Sequence, residues 1–419
     1  MHFCIRVCTF IWVLSTPVTY AAVPDTSLTL SQAIALVLEN NTHLQVADFD
    51  SRAAAERIRQ QSQSTPYELG IELENLAGSG TVSGVSGLET TLSLGRVLEL
   101  GEKSRHRGEV AQLEAGLLRH DQDAQRLDLL AETARRFLTM VRVQAERELA
   151  EKRVALIQRT LQSVEQRHRV GKAPAAERSR VQINLARAEL ELEETDHLLH
   201  NGRRQLAVMW GTFEPDFETV QADIFRLAAE PDFAVLDQAI NGNPAIARLA
   251  TTERLSEARR LLARTLARPD LDLRVGVRYF NDSDDVGLVA SLRMPLGSAG
   301  RSRAYVNEAE ALAAREPLLA QDRQLALRAT LSGLHQELLH TRDRFETYQS
   351  RIIPAADKAL ADYSQGYAAG RYSLLELSAA QDTLLEARIE VLSSAAEHHA
   401  VRIEIDRLIG VAPIYGVSP

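Results

Sequence analysis

The feature that most constrains this chain is an internal duplication. Two segments spell closely similar text, HRVGKAPAAERSRVQINLARAELE around Gly171 and GYAAGRYSLLELSAAQDTLLEARIE around Gly370. Further matches occur in the same order at offsets of 198 to 202 residues: Asn41 with Asn243, Leu94 with Leu292, Arg105 with Arg303, Glu177 with Glu376, and Gly211 with Gly410. Single matches arise by chance, but ordered blocks at nearly one spacing do not. The sequence therefore predicts two copies of one structural unit.

Both copies have the same predicted order of elements, and the fold class is mainly α with a small β part. The expected division is a signal peptide at 1–21, a first repeat at 22–211, a linker at 212–234, a second repeat at 235–410 and a tail at 411–419. The predicted elements are helices at 29–64 and 234–267, β-hairpins at 67–98 and 271–296, and long helices at 101–170, 174–210, 300–368 and 372–409. Helices this long need partners alongside, and Pro354 should kink one of them.

The two hairpins of one chain supply too few strands to close a β-barrel. Residues 67–76 and 271–280 alternate apolar and polar side chains, which is the period of a strand with one apolar face. Tilted strands of about ten residues span an outer membrane, but four of them cannot close a barrel. Two chains would give a barrel filled by side chains, and three would give twelve strands with room for a pore. We therefore expect several chains to share one barrel; the alternative is a soluble sheet packed on the helices.

The N-terminus carries the pattern of a secretory signal peptide. Arg6 precedes an apolar run, and small residues follow up to Ala22. Both cysteines, Cys4 and Cys8, lie within this segment, so we expect no disulfide and no cysteine metal site after cleavage. The net charge of −9, without a basic patch, argues against binding of nucleic acid.

No motif of an enzyme is found in the sequence. A glycine-rich phosphate loop, HExxH and GxSxG are all missing, so we expect no catalytic residue and no cofactor. The methionines after the signal are scattered, which argues against a relay of soft metal ligands. His398 and His399 are adjacent on a predicted helix and point in different directions. Such a pair without carboxylates is typical of a protein surface, so no metal site is predicted.

The chain resembles the TolC-type outer-membrane efflux factors over nearly its whole mature length. The resemblance rests on the duplication, the opening LTLSQAIALVLENN and both glycine turns, and the phrase LSLGRVLELGEKSR is similar to the heavy-metal cation efflux branch. It implies a homotrimer with a shared twelve-stranded transmembrane β-barrel in outer-membrane lipid, above a trimeric α-barrel of long hairpins that extends into the periplasm. It also implies two partners, a periplasmic adaptor protein and an inner-membrane pump of the RND type.

The two glycine turns would be the periplasmic tips of this assembly. By the resemblance, the adaptor docks there, and the residues expected to contact it are Val170, Gly171, Lys172, Glu177, Gly370 and Arg371. Glycine suits both turns because it tolerates a positive φ. The alternative is that these residues only connect antiparallel helices.

Two further tip residues match family positions. Glu376 lies where the family has an acidic aperture residue, and three copies would form a carboxylate ring that favours cations. Ala379 stands where a second acid is often found, so only one ring is expected. Tyr367 matches a tyrosine that helps to latch neighbouring helices, although its usual arginine neighbour is Tyr372 here. The alternatives are a solvated glutamate on a helix and an exposed tyrosine.

Three acids lie on the polar face of the first strand. Glu68, Glu72 and Glu74 would give an acidic pore if this face lines the lumen. Arg274 and Arg278, on the third strand, would partly neutralise it. The alternative is that these charges only keep the face hydrated, without selectivity.

The leading hypothesis is a passive, gated outer-membrane channel of a tripartite efflux system, exporting divalent heavy-metal cations from the periplasm. The same duct could instead serve drugs or type I protein secretion, since the pump usually selects the cargo. A hypothesis of a different class is a soluble periplasmic coiled-coil scaffold without a pore.

Overall fold

A computed structural model describes residues 27–412 of the chain. The signal peptide at 1–21 and most of the expected tail lie outside the described residues. The helices are α1 Leu30–Asn40, α2 Thr42–Ser62, α3 Lys103–Arg169, α4 Ala175–Ala207, α5 Phe233–Ala239, α6 Pro244–Thr265, α7 Ser298–Thr347, α8 Ile353–Ala368 and α9 Leu374–Leu408. With 67 residues, α3 extends over roughly 100 Å. Within residues 27–412, each helix is too short or too polar to cross a membrane.

Two sheets accompany the helices. The strands are β1 Ser27–Leu28, β2 Tyr67–Glu74, β3 Glu89–Leu98, β4 Thr219–Val220, β5 Leu271–Phe280 and β6 Asp285–Arg293. The short strands β1 and β4 pair in parallel, which ties the start of the first repeat to the segment between the repeats. The two hairpins form one antiparallel sheet in the order β2-β3-β5-β6. Within residues 27–412, the outer edges of β2 and β6 pair with no other strand.

The long helix α3 lies at the centre of the helical part. It packs against α2 and α6 near the sheet, and against α4 and α9 further along. The largest apolar cluster surrounds the middle of the molecule and includes Phe137, Met140, Trp210 and Leu392. A second cluster near the glycine turns combines residues of both repeats. The two repeats therefore share their cores and do not form separate domains.

Asn41 and Asn243, which match in the two repeats, join helices end to end. Each side chain caps the helix that follows by accepting a hydrogen bond from the backbone amide two residues later. The side-chain amide of Asn41 also donates to the carbonyl of Met209, at 2.7 Å, and that of Asn243 donates to the carbonyl of Leu408, at 2.7 Å. Both asparagines are buried. Asn41 thus connects the turn after α4 to the start of α2, and Asn243 connects the end of α9 to the start of α6.

The helix boundaries differ from the sequence expectation in three places. The segment 234–267 is α5, a short 3₁₀ turn and α6 rather than one helix, because Asn243 has extended backbone and begins a new helix. The segment 29–64 is two helices rather than one, because Asn41 has extended backbone and begins a new helix. The expected kink at Pro354 is a π-helical turn over Tyr348–Ile352, directly before the proline. The wider turn accommodates a residue that cannot donate a backbone hydrogen bond. Pro317 lies inside α7, which continues past it.

Candidate functional site

One face of the four-stranded sheet is apolar and uncovered. Ile71, Leu92, Val277 and Leu288 lie opposite one another across the four strands, so their side chains share a face. Their exposed fractions are 70%, 51%, 46% and 85%. The neighbouring positions on this face are also apolar and exposed, among them Leu69, Leu94 and Val275. An apolar surface of this extent is typical of contact with lipid or with another protein.

The opposite face is polar, and two of its three predicted acids are paired. Arg274 Nη2 lies 3.0 Å from Glu68 Oε2, and Arg278 Nη2 lies 2.5 Å from Glu74 Oε2. Glu72 is exposed and has no ion pair or hydrogen bond within residues 27–412. Of the acids that the sequence placed on this face, Glu72 is therefore the one whose charge is uncompensated by a neighbour.

Glycines on the polar face make room for these ion pairs. Gly95 lies directly opposite Arg274, and a Cβ atom there would come within 2.8 Å of the Arg274 Cγ. On the same face, a Cβ on Gly276 would lie 2.6 Å from the backbone oxygen of Leu92. These clashes explain why the strands carry glycine, which otherwise weakens a sheet.

A buried lysine fixes the junction between the sheet and the helices. Lys103, the first residue of α3, donates to the backbone oxygen of Arg268 at 2.9 Å and pairs with Asp270 at 2.7 Å. Asp270 directly precedes β5, so this contact joins the two repeats. This ion pair was not predictable from the sequence pattern, because Lys103 and Asp270 are 167 residues apart in the chain.

The two tips have the same backbone geometry. Gly171 and Gly370 have positive φ, at 72° and 76°. The amide after each glycine donates to the carbonyl five residues before it, which closes the Schellman motif that ends a helix. Val170, Lys172 and Arg371 are exposed at these turns. Gly171 and Gly370 are exposed as well, so five of the six predicted docking residues face solvent and Glu177 is partly buried.

Tyr367 connects the two tips. Its side chain is only 2% exposed, and its hydroxyl donates to Glu177 Oε2 at 3.0 Å. The guanidinium carbon of Arg167 lies 4.6 Å from the centre of the tyrosine ring, and Arg167 also donates to the Tyr367 carbonyl. Burial and the bond to Glu177 raise the pKa of Tyr367 to about 12. The tyrosine is therefore buried rather than exposed, and its partners belong to the other repeat.

Arg167 is a tip residue that sequence reasoning missed. It lies 200 residues from Tyr367 in the chain, and the match between the repeats did not single it out. Its position in the last turn of α3 could have indicated it, because a cation there interacts favourably with the helix dipole.

Glu376 has a local role at the start of α9. Its carboxylate accepts hydrogen bonds from the amide and the hydroxyl of Ser373, both at 2.8 Å, while the Ser373 hydroxyl accepts from the Glu376 amide. This is a capping box. The bonds from Ser373 lower the pKa of Glu376, which is exposed and therefore ionised at neutral pH. Ionisation is also what a carboxylate ring would require.

The aromatic residues beside the second tip pack on one another. The rings of Tyr363 and Tyr372 lie 4.8 Å apart, and a Cβ on Gly366 would clash with Tyr372 at 2.1 Å. Tyr372 thus packs on α8 of its own hairpin.

The histidine pair on α9 is not at the surface. His398 and His399 are both buried, which contradicts the sequence interpretation. His399 Nε2 lies 3.0 Å from the carbonyl of Ile224, and His398 Nδ1 lies 3.3 Å from that of Leu338. The pair thus contacts backbone from two other segments. In the part of the chain that the structure describes, no group of three or more His, Cys, Asp or Glu side chains could hold a metal ion.

Comparisons with known proteins agree with this architecture. Residues 33–212 match the family described as Outer membrane efflux protein. The chain is 25% identical over 389 residues to the cobalt-zinc-cadmium resistance protein CzcC of Cupriavidus metallidurans, with 91% of this chain and 90% of that protein covered. The resemblance stated from the sequence is confirmed.

Solved structures share the fold. The outer membrane protein VceC from Vibrio cholerae is 16% identical with a TM-score of 0.75, covering 92% of this chain and 97% of that one. The CmeC outer membrane channel from Campylobacter jejuni is 14% identical with a TM-score of 0.76, covering 93% and 87%. The predicted class, mainly helical with four strands beside long helical hairpins, is confirmed.

Proposed function

We propose that the chain forms the outer-membrane channel of a tripartite system that exports divalent heavy-metal cations, because residues 33–212 match the outer membrane efflux protein family and CzcC is similar over most of the chain. The family match supports a location in the outer membrane and a role as a channel rather than as an enzyme.

The observation that carries the channel proposal is the sheet with one exposed apolar face and two open edges. The apolar face of the sheet, which contains Ile71 and Leu288, suits contact with lipid. The opposite face, which contains Glu72, suits contact with water. When β2 of one chain pairs with β6 of the next, three chains close twelve strands around a pore. A soluble periplasmic scaffold would leave both the apolar face and the strand edges uncovered.

The proposed cargo rests on the relative and on charge. CzcC is named for resistance to cobalt, zinc and cadmium, all of which occur as divalent cations. Three copies of Glu72 would line the strand pore with uncompensated negative charge, and three copies of Glu376 would form a ring at the tips. Both rings attract cations, which favours metal export over the transport of drugs or proteins.

The tips would form the gate and the docking surface. Tyr367, Glu177 and Arg167 connect the two hairpins of one chain. A periplasmic adaptor would bind Val170, Gly171, Lys172, Glu177, Gly370 and Arg371, with an inner-membrane pump of the RND type beneath it. Glu177 belongs both to the docking surface and to the contact with Tyr367. Docking of the adaptor on Glu177 would therefore break the hydrogen bond from Tyr367.

Conductance in planar bilayers tests the channel and its charge together. We expect purified protein to form cation-selective pores, and Glu72→Gln to shift the reversal potential in a salt gradient towards zero. The matched control is the double variant Glu68→Gln with Arg274→Gln, which removes the ion pairs of Arg274 with Glu68 and Asp272 without changing the net charge. Equal shifts in both variants would contradict the assignment to Glu72, and a monodisperse single-copy protein in detergent-free buffer would exclude the channel.

Growth assays separate the cargo hypotheses. Cells lacking this chain should become sensitive to zinc, cobalt and cadmium, and expression of the wild-type chain should restore resistance. Sensitivity to drugs alone, or loss of a secreted protein without any metal phenotype, would favour the alternative cargoes.

A further inference from the structure

A cleft lies in the helical wall between α3, α4 and α9, above the tips. It has a volume of about 190 Å³, and an adjoining cavity of about 320 Å³ shares Leu149, Arg153 and Leu385 with it. The adjoining cavity is lined by three acids, Glu146, Glu191 and Glu194, whereas the cleft itself is lined by one, Asp382, so the two differ in charge. None of the residues assigned to the pore or the tips lines the cleft.

The floor of the cleft is apolar. Five side chains from α3 and α9 form it: Leu149, Leu156, Ile157, Leu384 and Leu385. Ile157 and Leu384 are buried, and the other three are partly buried. A floor of this kind favours a ligand with a hydrocarbon or aromatic body, because binding removes apolar surface from water on both sides.

The rim of the cleft is cationic, and two of its cations are already paired. Arg153 pairs with Glu191, and Arg388 lies 3.0 Å from Asp357. These ion pairs neutralise one cation on α3 and one on α9. The net charge of the cleft therefore depends on its other ionisable residues.

Two further cations of the rim have no partner. Lys152 on α3 and Arg187 on α4 make no ion pair and no hydrogen bond within residues 27–412, although both line the cleft. The lining contains one acid, Asp382 on α9, and it also makes no ion pair there. Unpaired cations therefore outnumber unpaired acids. Asn184 and Ser378 add polar groups that can donate hydrogen bonds.

We propose that this cleft binds a small organic anion, with its carboxylate between Lys152 and Arg187 and its apolar body on the leucine floor. Arginine suits this role because its planar fork matches a carboxylate. The charge preference is opposite to that of the proposed acidic rings, so the ligand is distinct from a metal cargo. The proposal concerns the helical wall and does not depend on what the channel exports.

Calorimetric titration with three probes of one shape tests the proposal. Full-length protein in a nonionic detergent is titrated with benzoate, benzyl alcohol and benzylamine, which differ mainly in charge. We expect benzoate to bind and the other two to bind at least about tenfold more weakly, which corresponds to the loss of one charge-assisted hydrogen bond. No binding of benzoate, or equal binding of the neutral alcohol, would overturn the proposal.

Three variants locate the binding. Arg187→Gln and Lys152→Gln should each weaken benzoate binding by about tenfold. The control is Arg180→Gln, because Arg180 is also an exposed and unpaired cation of α4 within residues 27–412 but does not line the cleft. Unchanged thermal melting shows that each variant is folded. A loss in Arg180→Gln as large as in Arg187→Gln would show that benzoate senses only the overall charge, and the site would be rejected.

Discussion

Glu177 and Glu376 occupy the same position in the two repeats, yet their carboxylates make different hydrogen bonds. Glu376 accepts from Ser373 and caps its own helix, whereas Glu177 accepts from the hydroxyl of Tyr367. The residue that matches Ser373 in the first repeat is Pro174, which has neither an amide hydrogen nor a hydroxyl to donate. The proline therefore leaves the Glu177 carboxylate available to the other tip.

Removing the tyrosine hydroxyl should loosen the tips. Tyr367→Phe loses a hydrogen bond to a charged acceptor, which is worth about 1.5–3 kcal/mol, and leaves Glu177 half-buried without that bond. We expect a higher probability of the open state in single-channel recordings. Tyr363→Phe is the control, because Tyr363 packs on Tyr372 through its ring and makes no hydrogen bond within residues 27–412. Equal gating in the two variants would exclude Tyr367 as a latch.

Restoring the cap in the first repeat should have a similar effect by another route. Pro174→Ser recreates the pattern of Ser373 and Glu376, so the Glu177 carboxylate can cap α4 instead of accepting from Tyr367. We expect α4 to gain about 1 kcal/mol from its new cap while the open probability rises. If thermal stability rises and gating is unchanged, Glu177 does not hold the tips together.

The same substitution should have opposite effects at two glycines. Gly171 has a φ of 72°, so Gly171→Ala forces a side chain into the left-handed region and costs about 1–2 kcal/mol. Gly333 lies within α7, where an added Cβ meets no atom within 4 Å. Gly333→Ala should stabilise the protein by up to about 1 kcal/mol. Thermal melting followed by circular dichroism measures both, and shifts of the same sign would contradict the assigned tip geometry.

The asparagine that joins α9 to α6 should be important for stability. Asn243→Ala removes the cap of α6 and leaves the Leu408 carbonyl without its donor, which should cost about 1–3 kcal/mol. The fluorescence of Trp210, in the central apolar cluster, reports the unfolding. Asn201→Ala is the control, since Asn201 is exposed on α4 and makes no hydrogen bond within residues 27–412. A shift as large in the control would show that loss of any helical asparagine has this effect.

Acid should destabilise the middle of the molecule through the buried histidines. Burial lowers the pKa of both His398 and His399, and Asp223, Glu230 and Arg342 are the charged groups near them. The folded pKa lies below the unfolded value of about 6.5, so the unfolded chain binds more protons as the pH falls. Stability is therefore fully present above about pH 6.5 and is lost below it.

A series of thermal melts between pH 8 and pH 5 measures this dependence. We expect His399→Gln to reduce the fall in melting temperature on acidification, whatever its effect at neutral pH. His197→Gln is the control, because His197 is largely exposed. If all three proteins respond equally to pH, the carboxylates and not the buried histidines dominate the acid response.

Periodicity predicted the helices and strands, because it depends on residues close together in sequence. The duplication predicted that their order is repeated. The alternation around Ile71 indicated a strand with one apolar face, and Gly171 and Gly370 marked the turns. Contacts between distant residues were not predictable in this way. Lys103 meets Asp270, and Arg167 meets Tyr367, only because the repeats pack side by side. The burial of His399 was missed for the same reason, since it depends on Ile224 in the segment that follows the first repeat.

The substitution that separates Pro174 from Ser373 bears on how such a chain could have arisen. An ancestral half-length polypeptide assembling in six copies would place identical turns beside each other, each offering the same donors and acceptors. A chain that holds both turns lets one carry serine and the other proline, so that Glu376 caps its own helix while Glu177 accepts from Tyr367. Because both turns lie in one chain, the donor Tyr367 and the acceptor Glu177 can change independently of their counterparts in the other repeat.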